Sequence, residues 1–100
     1  MDSQVEIQRQ IQEGLEAKQA RESPIIRRCL EEMDKALWGA FQQCQPQDTK
    51  QLIFVRSQLD SLRYFMVTLE DFIQTGKLKE DWLISQQEQE EEKMSYHHQD

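Results

Sequence analysis

The side chains here that could act on a substrate or hold a metal are few, and their spacing works against both. His97 and His98 are adjacent. On a helix, neighbouring side chains point about 100° apart, so the pair does not converge on one ion. There is no Cys-x-x-Cys, no His-x-x-x-His and no glycine-rich phosphate loop. Cys29 and Cys44 fall on one predicted helix, fifteen residues apart. At about 1.5 Å of rise per residue they sit roughly 22 Å from each other, beyond disulfide reach. Both lie on or beside an apolar stripe, and the expectation is buried free thiols in a reducing cytoplasm. The acids of Glu31-Glu32, Glu70-Asp71 and Glu90-Glu91-Glu92 are nearest neighbours, a pattern that reads as solvated faces. Arg56 and Arg63 form either a short basic ridge or exposed ion pairs, each worth under about 1 kcal/mol. The expectation is a protein that is not an enzyme, with no catalytic residue, cofactor or metal.

The elements behind these residues are helices. Ile26, Leu30, Met33, Leu37, Ala40 and Cys44 recur at alternating steps of four and three, and so do Leu52, Val55, Leu59, Leu62, Met66, Leu69 and Ile73. Such steps keep a residue set on one helical face. Ser23 caps the first of these helices and Pro24 suits its first position; Pro46 ends it. The five residues from Gln45 to Thr49 allow only a tight reversal, with Asp48 or Thr49 capping the next helix. The fold class expected is all-α: an antiparallel helical hairpin with helices over 24–44 and 49–75. Gly76 is expected as a left-handed stop, with Leu78 as its apolar contact. Gly39 invites either a close backbone approach or simple tolerance.

Residues 1–22 read as an N-terminal helical arm in which Ile7, Ile11 and Leu15 step by four. An arm of that length is marginal without a partner. The hairpin core spans 23–84, and Trp82, Leu83 and Ile84 either fold back on it or extend a terminal helix. Residues 85–100 form an acidic, Gln- and Glu-rich tail, solvated helix or disorder.

The second helix carries more apolar surface than one seam uses. With Leu52 at zero, the seam occupies about 260–360°, whereas Phe54, Phe65 and Phe72 fall near 200–220°. Ile53, Tyr64 and Val67 lie on yet another side. An arc this wide implies more than one neighbour, so Phe54, Phe65 and Phe72 are expected at an interface with another chain, or against Trp82 and Leu83. Trp38 and Phe41 widen that surface, and Trp82 completes the interface set.

Net charge is −7, and it is unevenly placed. Residues 80–100 carry seven acids against Lys93 alone, whereas residues 1–79 carry twelve acids against eleven bases. An acidic chain gains nothing from counterion release, which disfavours sequence-independent nucleic-acid binding. No apolar run is long enough to span a membrane, and Met1-Asp2-Ser3-Gln4 does not open a secretory signal. Fewer than about 60 residues in two helices bury little surface, so a partner is the natural remedy.

The order of features in the central segment resembles a known group. Ala20-Arg21-Glu22-Ser23-Pro24 opens a helix, then come Leu30, Met33, Trp38 and Phe41, then Pro46-Gln47-Asp48-Thr49. Leu59, Leu62, Leu69 and Ile73 follow, with Thr75-Gly76-Lys77-Leu78 as the exit. Over residues 20–79 this resembles small helical-hairpin proteins of tailed bacteriophages, encoded among packaging and virion-structure genes. The resemblance implies a virion or packaging accessory, acting as a homo-oligomer or bound to a larger phage structural protein. It further implies the host cytoplasm or the virion as location; no catalytic residue comes with it. The alternative is a small acidic regulator or inhibitor that binds a host protein. A terminase-type DNA-packaging subunit ranks third, because no basic helix is present.

Overall fold

The computed structural model describes residues 3–97, with side chains described through Met94. Three helices make up the described chain: α1 (Gln4–Glu22), α2 (Pro24–Gln43) and α3 (Thr49–His97). The molecule is extended, 81 × 28 × 19 Å. A 49-residue helix is roughly 73 Å long at 1.5 Å per residue, so α3 sets that length.

Local chemistry explains the boundaries. Ser3 caps α1 by accepting the Glu6 N–H at 3.1 Å. A single non-helical residue, Ser23, separates α1 from α2. Its N–H donates to the Ala20 carbonyl, and its hydroxyl accepts from Ile26 N at 3.5 Å while Pro24 takes the first turn. One residue thus closes one helix and opens the next, as the Ser-Pro pair led us to expect. Asp48 Oδ1 accepts the Gln51 N–H at 3.2 Å and starts α3.

The core is small. Ile7 and Ala17 of α1 and Val55, Leu59 and Leu62 of α3 are the buried apolar side chains, Val55 the deepest at 2% exposed. Gly14 and Gly76 are buried with them. Arg21 pairs with Glu70, whereas Gly14, seven residues earlier, meets Gly76, six residues later. Position falls along α1 as it rises along α3, so these two helices run in opposite senses.

Several expectations are corrected. Helix α3 does not stop at Thr75: it continues unbroken to His97. Gly76 is not a left-handed stop, since no described residue has a positive φ. Three residues after Ile73, it continues the seam, and its missing Cβ serves packing. Because Trp82 and Leu83 lie on this same continuous helix, they do not fold back over the phenylalanines. On α1 the buried face is Ile7, Gly14 and Ala17, and Leu15 points outward at 47% exposed. Gly39 has nothing within 4 Å of where a Cβ would stand, so the close backbone approach belongs to Gly14. The cysteines are free but not buried, Cys29 being exposed and Cys44 half-buried. Helix α2 buries no residue fully, which leaves Cys29, beside its stripe, open.

Candidate interaction surfaces

The α1–α3 crossing is the tightest contact in the molecule. A Cβ on Gly14 would stand 2.9 Å from Gly76 Cα and 2.9 Å from the Phe72 carbonyl oxygen. A Cβ on Gly76 would meet Gly14 Cα at 2.9 Å and the Gln10 carbonyl oxygen at 3.0 Å. These neighbours are backbone atoms, which cannot rotate away. Beside the crossing the Gln10 Oε1 is buried without a hydrogen-bond partner.

Polar contacts fasten the outside. Arg21 of α1 bonds Glu70 of α3, and Gln74 donates to the other Glu70 oxygen at 2.9 Å. The Gln74 amide and then the Arg21 guanidinium hold the Glu70 carboxyl below its ordinary range, against the small opposing effect of its desolvation. Within α1, the Glu6 carboxylate, aided by Glu13, raises Arg9 above its usual value. Within α2, Arg28 pairs with Glu32 at 3.1 Å. These exposed carboxylates hold arginines or solvent.

Between α2 and α3 lies a groove of about 670 Å³. Leu30, Leu62, Met66 and Leu69 are among its lining, and Arg27, Asp34, Arg63 and Glu70 stand around them. Trp38 and Phe41 extend this side, seven residues on from Glu31 and Asp34 of the lining. Their rings meet edge to face, centroids 5.8 Å apart.

The six expected interface residues are therefore all exposed in the single chain, but they do not form one patch. Trp38 and Phe41 flank the charged groove. Phe54, Phe65 and Phe72 line the opposite flank of the α3 seam. Trp82 falls on the back of α3 with Ile53, Tyr64 and Val67, the same side at 100° per residue. Tyr64, 74% exposed, is the most open of these.

Among the described residues no group of three or more His, Cys, Asp or Glu is placed to hold a metal. The side chains of His97 and His98 lie outside those described. No helix there is long and apolar enough to cross a membrane. What reading from sequence missed is the Gly14–Gly76 contact. Its signal was present: Gly14 follows Ile7 by seven, and Gly76 lies midway between Leu69 and Leu83 at seven each way.

Set beside known proteins, the chain matches no protein-family model, no curated protein and no solved structure.

Proposed function

We propose that this chain is a non-enzymatic protein–protein interaction component. The observation that carries the reading is an inversion of the usual distribution of apolar side chains. Five apolar side chains are buried, while three phenylalanines, two tryptophans and a tyrosine stand in solvent along the rod. Large contiguous apolar exposure marks interaction surfaces in folded proteins. Helix α2, with its regular apolar stripe, completes no core of its own. Residues 24–75 are read as an antiparallel hairpin, supported by the short reversal at Gln45–Asp48 and by the groove that α2 and α3 line together.

The setting we propose is a small virion or packaging accessory of a tailed phage, acting as several copies or bound to a larger structural protein. It rests on the resemblance over residues 20–79. Quantitative mass spectrometry of purified particles tests it: stoichiometric copies support the assembly role, and complete absence overturns it. Absence would favour a second reading, an acidic regulator of a host protein. That reading draws on Glu88, Glu90, Glu91 and Glu92, all exposed on the last described turns of α3.

A further inference from the structure

The two flanks of the α2–α3 pair differ in charge, and the difference selects a partner. The groove flank carries Arg27, Glu31 and Asp34 of α2 with Arg63 and Glu70 of α3. The opposite flank of α3 runs Phe54, Gln58, Ser61, Phe65, Thr68 and Phe72, without a single charge. On α2 the matching flank holds Ile25, Cys29, Ala36, Gly39 and Gln43, again uncharged. Glu32 stands at its outer edge with its charge paired to Arg28. Antiparallel helices that share a seam bring like flanks together, and the common groove lining already places the charged flanks on one side. The uncharged flanks therefore make one continuous face.

Building on the interaction reading above, we infer that this uncharged face is the contact between two copies of the chain, closing a four-helix bundle. Three properties argue for a second copy. First, a face without charge offers nothing to an acidic or basic partner, and it desolvates without leaving an unpaired ion. Second, the face divides into a large half and a small half. Phenylalanines stand on α3, and Cys29, Ala36 and Gly39 on α2. A two-fold axis parallel to the helices lays each α3 across the partner's α2, setting large side chains over small ones as knob-into-hole packing requires. Third, the area is adequate. Twenty residues of α2 span roughly 30 Å, and two helices about 10 Å apart present roughly 20 Å of width. The projected area is roughly 600 Å² per copy, about 1,200 Å² in all, at the lower bound for a specific interface.

Sedimentation equilibrium of the full chain from micromolar to hundreds of micromolar tests the inference, with circular dichroism reporting helix content. The expected result is a mass approaching twice that of the chain as concentration rises. Phe65→Glu and, independently, Ala36→Glu should each return the mass to monomer with helix content retained. Ala36 is exposed in the single chain, so its variant tests the face without threatening the fold should Phe65→Glu unfold. Arg63→Glu, on the charged flank, should leave the dimer intact. Alkylation of Cys29 in a Cys44→Ser background should slow at least tenfold in the dimer and recover in Ala36→Glu. A monomer at every concentration overturns the inference, as does a dimer that Ala36→Glu leaves whole or that Arg63→Glu dissociates. A monomeric chain still found at stoichiometric level in particles would retain the interaction role with a foreign partner, so the two readings fail separately.

Discussion

Gly14 of α1 and Gly76 of α3 touch backbone to backbone, and each fills the space where the other's side chain would begin. Glycine inside a helix costs about 1 kcal/mol relative to alanine. Two helices accept that cost here because it lets them approach closely at the point where they cross.

The first prediction follows from that contact. Gly14→Ala and Gly76→Ala each place a methyl 2.9 Å from backbone atoms. Overpacking of this kind costs about 1–3 kcal/mol, which outweighs the gain in helix propensity, and a net loss of about 1–2 kcal/mol is expected in urea unfolding. Gly39→Ala meets nothing within 4 Å and should stabilise by up to about 1 kcal/mol. If all three substitutions stabilised alike, the crossing would not exist in solution.

The second prediction concerns which face of α1 is inside. Ile7 is 5% exposed whereas Leu15 faces solvent. Ile7→Ala should cost about 2–3 kcal/mol in the same unfolding experiment. Leu15→Ala should change stability by less than about 0.5 kcal/mol. The opposite ranking would restore the Ile7, Ile11, Leu15 stripe as the packing face.

These two cases show what was legible in the sequence. The heptads on α2 and α3 and the punctuation by Ser23-Pro24 and Asp48 identified an all-helical chain, because apolar period and capping chemistry are local signals. The length of α3 was not legible. Gly76 next to Thr75 looks like a helix stop when hydrophobicity is the only guide, since a seam position built from glycine carries no apolar signal. The face of α1 was misread for the same reason: Gly14 and Ala17 are small, so the larger Leu15 dominated the pattern. For the candidate surface, the phenylalanine stripe was legible from helical geometry alone. The separation of Trp38 and Phe41 from it was not, because that depends on which flank of α2 faces the groove.

The third prediction uses the unpartnered Gln10 Oε1 buried beside the crossing. A buried acceptor without a donor costs about 1–3 kcal/mol. Gln10→Leu is nearly isosteric and removes that acceptor, and it should raise stability by about 1 kcal/mol in urea unfolding. A loss of stability instead would mean that the Gln10 amide finds a donor in solution.

The fourth prediction is a pH dependence at Glu70, whose folded pKa is lowered first by the Gln74 amide and then by Arg21. A carboxylate with a depressed folded pKa adds stability above its unfolded value of about 4.3. That contribution is lost as pH falls through the lower folded value. Titration followed by carboxyl carbon NMR should therefore place Glu70 below the exposed glutamates. Gln74→Ala should raise it further than Arg21→Ala does. The reverse order would make the ion pair with α1 the dominant partner.

The fifth prediction separates helix from stability in the last turns of α3. Leu83 and Gln86 are the last half-buried residues, and every described side chain from Gln87 to Met94 is exposed. No tertiary contact of note holds that stretch, and Glu90, Glu91 and Glu92 repel one another along it. Helix there depends on continuity with the turns before it, since propagation adds a bond per residue once a nucleus exists. A chain ending at Gln87 should lose helix signal in proportion to the turns removed while its urea midpoint stays within about 0.5 kcal/mol of the full chain. At low ionic strength it should be slightly the more stable of the two, because the removed acids no longer repel. A large loss of stability on truncation would instead mean that these turns pack on another element, and circular dichroism with urea unfolding of the two chains decides between these outcomes.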